Sequence, residues 1–419
     1  MTVHIVGAGL AGLAAGVRLA SAGQRVTLYE AAPQAGGRCR SFHDRTLGKV
    51  IDNGNHLMLS GNRSLFDYLG EVGAEDGLTG PKEARFPFVD LRTGKRWAVQ
   101  IDGGRWLCWL RDPVRGVPGV RLMDRFRGLR LAFVEKEETV AGCLEETGAL
   151  WEHFWEPMAT AVLNTPPNEA SAWLLRATLI ESFAKGKHAC RPLIARHSLA
   201  ASLVDPALAF LTGHNAELYF GQRLRLIDLT HRAEALHFAG LHVTLDPSDQ
   251  IILALPPSQI TELVPGIRTP SGAHAIVNAH FLLSEPVQKL GRITLLGLVG
   301  GEAQWIFLRD KIASVTVSAA DALADEAADV IAVRLWAEVA RALEQPKDPV
   351  PAFRIIKEKR ATFSQTPAAL SDRPPTSTHW PNVHLAGDWI DTGLPATIEG
   401  AIRSGHLAAD AVLDQLTAA

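Results

Sequence analysis

Val3-His4-Ile5-Val6, then Gly7-Ala8-Gly9-Leu10-Ala11-Gly12, and, after an apolar helical stretch to Ala22, Val26-Thr27-Leu28-Tyr29-Glu30 decide the fold of this chain. They read as a strand, a tight glycine turn, a helix and a second strand that ends in an acid. A diphosphate has to rest on bare backbone amides at the positive end of a helix. Gly7 permits the turn out of the strand, Gly9 removes a side chain that would block the phosphates, and Gly12 lets the helix lie close. Ala11 belongs to the same amide-rich first turn. Glu30 stands where a ribose would offer its hydroxyls. A glycine turn without a ligand is the bland alternative. The register of strand, helix and terminal acid argues against it.

Working outward, Ala31 to Ser41 is a loop whose Gly36-Gly37 lets backbone approach a ligand and whose Arg38 can meet a phosphate. Next, Asp52-Asn53-Gly54-Asn55-His56-Leu57 sets small and polar residues among apolar ones. Gly54 exposes backbone, and Asn55 and His56 offer donors of the kind a polarised ring or a departing oxygen uses. At the far end, Val383 to Asp388 is a buried strand closing in Gly387-Asp388. Pro395-Ala396-Thr397-Ile398 then leads into a helix, whose N-terminus can hold a polar ring edge.

The chain has 419 residues, 47% of them hydrophobic, enough for two domains that interleave. A net charge of −3 argues against general nucleic-acid binding. The cysteines, Cys39, Cys108, Cys143 and Cys190, have neither CxxC pairing nor metal spacing, so reduced thiols in a cytoplasmic protein, and no metal, are expected. The first residues enter a strand directly, and no apolar run has the length of a membrane span.

Between these ends, Gly103 to Phe133 carries seven arginines interleaved with Trp106, Trp109, Leu107, Leu110 and Phe126. One reading is docking on an anionic bilayer, the other a solvated helix over a core stripe. Val140 to about Ala209 reads as mainly helical, with Trp151, Phe154, Trp155, Met158, Leu175 and Leu179 as plain core or as the wall of a greasy pocket. Segments at 216–220, 224–227, 241–245 and 251–255 read as strands returning to the nucleotide domain. Strands at 275–283, 293–298, 304–308 and 312–317, a helix at 328–343 and a strand at 353–363 follow.

Taken together, Gly7 to Glu30, Gly36-Gly37-Arg38 and Gly387-Asp388 with Pro395 to Ala401 resemble the FAD-dependent amine oxidoreductase superfamily, over nearly the whole chain. Asp52 to Leu57, Trp155-Glu156-Pro157, Leu163-Asn164-Thr165, Glu358 to Phe363 and Ala386 to Trp389 make it most similar to the bacterial squalene-associated branch, the hydroxysqualene dehydroxylases of hopanoid biosynthesis. The resemblance implies an α/β fold: a Rossmann-like FAD-binding domain from residues 1–85, 210–272 and 375–419, interleaved with a substrate domain of mixed sheet and helices from 86–209 and 273–374.

It also implies FAD, with Gly7, Gly9 and Gly12 at the diphosphate, Glu30 at the ribose, Gly37 and Arg38 near the phosphates, and Leu224 beside adenine through its backbone. Gly54, Asn55 and His56 would lie near the flavin ring, Asp388 would meet the ribityl-diphosphate segment, Thr397 with Ile398 would meet the pyrimidine edge, and Pro395 and Ala396 would also bind the cofactor. The implied reaction is reductive removal of the hydroxyl of hydroxysqualene, with hydride from reduced flavin N5, giving squalene; His56 and Asn55 are the expected donors to the oxygen. A long apolar isoprenoid would be the substrate, a cytoplasmic site at the inner face of the membrane its setting. No electron donor is identified. Alternatives are a phytoene desaturase-like or amine oxidase-type oxidation, and a non-catalytic FAD-containing polyprenoid carrier.

Overall fold

The opening stretch forms β1 (Thr2–Val6), α1 (Leu10–Ser21) and β2 (Arg25–Glu30) in a computed structural model that describes residues 1–101, 117–121, 123–287 and 294–418. A parallel sheet of five strands is built around them, in the order Glu217–Phe220, β2, β1, Gln250–Leu253, Val383–Leu385. Ile251, Ile252 and Leu253 have no exposed surface, as the continuous apolar run of a strand covered on both faces requires. The last strand and the helix Ile398–Ala418 complete what the first thirty residues begin: that helix crosses α1 so closely that a Cβ on Gly405 would lie 2.1 Å from the Ala11 carbonyl oxygen.

A second sheet has seven strands, in the order Phe353–Phe363, Ala273–Leu282, Ile312–Val317, Trp305–Arg309, Leu295–Val299, Arg85–Asp90, Arg96–Gln100. All neighbours are antiparallel except Leu295–Val299 with Arg85–Asp90. The amphipathic helix Ala328–Leu343 packs Ile331, Leu335, Trp336 and Val339 against it. Trp151, Phe154, Trp155, Leu163, Leu174 and Leu175 of the helical region meet Phe86, Phe88, Trp305 and Phe307 in another cluster.

Several expectations change. Strands 224–229 and 242–244 do not join the parallel sheet; with the unforeseen strand Ala233–Phe238 they form a separate antiparallel sheet. The helical reading of 140–209 is broken by strand Pro192–Ala195, which pairs with short strands at 58–59 and 78–79. Leu199, Leu203, Val204 and Ala207, read as part of the substrate domain, pack into the core around α1.

The core of the arginine- and tryptophan-rich stretch, residues 102–116 with Leu122, lies outside the described residues. In its described part, Phe126 and Phe133 are 50% and 86% exposed. Arg127 and Arg130 both pair with Glu145, at 3.4 and 2.5 Å, and Arg127 also with Asp124 at 3.7 Å, so two acids offset these two charges locally. Cys39, Cys143 and Cys190 are buried free thiols.

Candidate active site

A cavity of about 1410 Å³ runs between the two sheets and is lined by the stretches expected to hold the cofactor: Gly7, Gly9 to Ala11, Glu30, Gly36 to Arg38, Asn53 to Leu57, Leu224, Gly387-Asp388 and Pro395 to Ile398. A pocket for a single drug-sized ligand measures about 300–1,000 Å³. The volume therefore admits a dinucleotide and a second ligand.

The nucleotide end is made of backbone. Gly7 turns with φ +107°, and a Cβ there would lie 2.3 Å from the Ala254 carbonyl oxygen. A Cβ on Gly12 would lie 1.9 Å from the Gly7 carbonyl oxygen, whereas one on Gly9 would meet nothing within 4 Å. Thus Gly7 and Gly12 close the turn, and Gly9 faces open space at the start of a helix with no acid in its first turn. That combination leaves unpartnered amides aimed at an anion the protein does not itself supply. Glu30 is oriented by the amides of Ala8 and Ala32, donating to its two oxygens at 2.8 and 2.7 Å. The Gly36 amide donates to the Ala8 carbonyl at 2.7 Å, folding the second glycine loop onto the first.

Arg38 is more constrained than a phosphate ligand read from sequence. It donates to Asp388 Oδ1 at 2.8 Å and to the Ala361 carbonyl, and Asp388 beside it holds the guanidinium charge more firmly than usual. Asp388 therefore meets Arg38 directly, joining two motifs 350 residues apart. The Gly387 amide donates to Ser404 Oγ at 2.8 Å, and Thr397 Oγ1 caps the following helix through the Gly400 amide. The Ala396 amide donates to Gln365 Oε1 at 2.7 Å, which ties the loop before that helix to the substrate half. Buried Arg373 donates to the carbonyls of Asp388, Trp389, Ile390 and Leu394, fixing the same loop from below. Leu224, at the start of its strand, lines the cavity and is 8% exposed.

The middle of the cavity is polar and built across strands. Asn55 Nδ2 donates to Thr316 Oγ1 at 3.0 Å and to Asn278 Oδ1 at 3.4 Å, and Thr316 donates to Asn278 Oδ1 at 2.9 Å. Gly54 sits so tightly against Asn278 that a Cβ would lie 3.2 Å from its amide nitrogen. This corrects the expectation that Asn55 donates to a ligand. Its N–H groups are committed to protein, and the atom left buried without a partner among the described residues is the acceptor Oδ1.

His56, by contrast, makes no protein hydrogen bond among the described residues and lines the cavity. Burial first, then the Arg38 charge, pushes its pKa down to about 4, so at neutral pH it is a neutral imidazole with one N–H to give. Beyond this patch the wall is greasy: Phe86, Phe88, Phe154, Met158, Leu179 and Trp305.

Asn278, Thr316, Gln365 and Arg373 escaped the sequence reading. A signal existed for the first two: Asn278 and His280, and Ser314 and Thr316, alternate inside otherwise apolar strands, placing polar side chains on one buried face. Nothing local marks Gln365 or Arg373.

These features define a flavoprotein oxidoreductase. Residues 10–413 match the family model described as flavin containing amine oxidoreductase, and the chain belongs to that family, with FAD as its cofactor. It is 44% identical over 98% of both chains to the hydroxysqualene dehydroxylase of Rhodopseudomonas palustris, and 42% identical to that of Sinorhizobium fredii, over 99% of this chain and 98% of the relative. A solved putrescine oxidase shares the fold, with a TM-score of 0.72, 17% identity, and coverage of 99% of this chain and all of the other.

The residues fit FAD on structural grounds alone: a helix N-terminus opening on space at Gly9, an acid pre-oriented at Glu30, and a second helix N-terminus at Thr397 on the same cavity. Among the described residues no cluster of three or more His, Cys, Asp or Glu could hold a metal ion.

Proposed function

We propose that this chain removes the hydroxyl of hydroxysqualene reductively, giving squalene. The observation that carries the reading is full-length similarity to relatives named for that reaction, joined to a cavity in which one polar patch interrupts an apolar wall. Reduced FAD supplies a hydride. The chain's part is to hold a long apolar ligand with its oxygen-bearing carbon at that patch, exclude water, and assist departure of the oxygen. Gly7, Gly9, Ala11, Gly12, Glu30, Gly37, Arg38, Asp388 and Pro395 to Ile398 would hold the cofactor. The His56 N–H donates to the oxygen, which leaves far more readily when protonated than as hydroxide.

Oxidation of an amine is less well supported, since the relatives similar over the full chain are named for dehydroxylation. Anaerobic incubation of the photoreduced protein with hydroxysqualene is expected to reoxidise the flavin and release squalene by mass spectrometry. Absence of both sinks the reading. Binding without a change in flavin spectrum points instead to a carrier.

The substrate dissolves in membranes, and no helix of the described residues is long and apolar enough to cross one. A peripheral contact at the inner face of the cytoplasmic membrane, through Gly103 to Phe133, follows as part of this reading. Exposed Phe126 and Phe133 support it; the paired Arg127 and Arg130 shift its weight from charge toward burial of rings. Replacing both phenylalanines with Ser is expected to lower flotation with anionic liposomes about threefold. Unchanged flotation removes this stretch as the contact.

A further inference from the structure

Behind His56 lies a second cavity of about 10 Å³, room for about one water molecule. Asn55, His56 and Phe307 line both cavities and form the partition between them. The far wall is part apolar, from Ile194, Ala195 and Leu199, and part polar. Asp52 and Arg309 line it as an ion pair, with Arg309 donating to Asp52 Oδ2 at 2.6 Å and its side chain 28% exposed. Ser314 lines it too, its Oγ 2.7 Å from Nδ1 of buried His280. One buried atom of the partition, Asn55 Oδ1, has no hydrogen-bond partner among the described residues. A buried water needs two to four polar partners, and this wall offers them.

We propose that the small cavity is a proton-delivery site, in which a water held by Ser314 and the Asp52–Arg309 pair returns a proton to His56 from behind while His56 gives its own to the departing oxygen in front. The inference rests on the dehydroxylation reading above. In that reaction the C–O bond breaks with its electron pair on oxygen, a C–H bond forms with the hydride of reduced flavin, and the oxygen needs one proton to leave as water. A neutral imidazole meets that need without ever holding a net charge in the apolar cavity. One ring nitrogen releases its hydrogen as the other takes one from the water; the imidazole ends as its other tautomer and returns to the first by exchange with water once the product has left. The water draws its replacement proton from solvent at the partly exposed Arg309 edge. The sum is one hydride and one proton consumed and one water released.

This geometry also explains why a histidine held neutral at pH 7 is suited to the position. A standing imidazolium would be costly in a buried site beside Arg38. Ser314, on this account, is a positioning residue for the water.

The test is a high-resolution crystal structure of the FAD-loaded protein together with the Ser314→Val and Ser314→Thr variants. An ordered water within hydrogen-bond reach of His56 and Ser314, lost in Ser314→Val and kept in Ser314→Thr, is expected. Squalene formation should fall about tenfold or more in Ser314→Val, with a changed solvent deuterium isotope effect and an unaltered flavin spectrum, and recover in Ser314→Thr. If Ser314→Val does not fold, Ser314→Ala gives the same kinetic reading. A wild-type cavity without the water overturns the proposal whatever the substrate. So does a Ser314→Val enzyme that loses the water but keeps wild-type turnover and isotope effect. Wild-type protein that holds the water but leaves hydroxysqualene unconverted refutes the substrate reading while supporting the water site.

Discussion

The two ends of the cavity are made of different material. At the nucleotide end the working surface is main chain: glycine turns, helix N-termini and one acid whose oxygens are set by backbone amides. At the substrate end it is side chain: Asn55, His56, Asn278 and Thr316 gathered from a loop and two strands, inside a wall of aromatics. A backbone surface tolerates almost no added atom, since no rotamer can move it aside. A side-chain surface tolerates change in shape and fails when a partner is lost.

The sharpest way to break this comparison is within the glycines themselves. Gly12→Ala puts a methyl 1.9 Å from a backbone oxygen, and Gly7→Ala adds a forbidden φ to a similar collision. Either is expected to cost at least about 3 kcal/mol and yield protein without flavin absorbance. A methyl at Gly9 meets only open space, so in Gly9→Ala the apo fold should stay within about 1 kcal/mol of the wild type while FAD affinity falls about tenfold or more, read by flavin fluorescence. Equal loss of stability in Gly9→Ala and Gly12→Ala would break the distinction between the two glycines.

At the other end, Asn278→Ala removes the oxygen that accepts from both Asn55 and Thr316. FAD should stay bound, because no nucleotide-end contact changes. Turnover should fall by about ten- to a hundredfold as the Asn55–His56 loop loses its anchor. A variant that loses FAD instead would merge the two ends into one unit. Full turnover would remove Asn278 from the site.

The same division explains what could be read in the sequence. Gly7 to Glu30 is legible because each glycine's reason lies within a few residues of it, in the turn it closes or the helix it starts. The pairing of Arg38 with Asp388 was visible only as two motifs with separate duties; that they hold each other depends on a sheet assembled from both ends of the chain. The Asn55–Asn278–Thr316 contact is set by register between antiparallel strands, with Asn278 opposite Thr316, and a lone polar residue in a strand does not announce its partner. Strands Arg85–Asp90 and Arg96–Gln100 were missed for a related reason. Charged residues at their exposed ends obscure the alternating Phe86, Phe88, Trp97 and Val99 that face the core. Arg373, satisfied by four carbonyls of a loop, carries no sequence signal, since an arginine near prolines reads as a solvated linker.

The smallest expected effect concerns acid, and it sets the two halves side by side once more. His384 lies in the parallel sheet and His280 in the mixed one, and burial pushes each down to about 4. An unfolded histidine takes its proton as pH drops through about 6.5, whereas the folded ones stay neutral until about 4. Over that window the unfolded chain binds more protons, so stability falls as pH falls, and the loss is complete below 4. Between pH 7 and 5.5 each histidine should account for about 1 kcal/mol. His384→Phe and His280→Phe should each flatten the slope of unfolding free energy against pH by that amount, whatever they do to stability at pH 7. A slope unchanged in one variant alone would mean that the half containing it admits water to its histidine, and that the two sheets are not buried to the same depth.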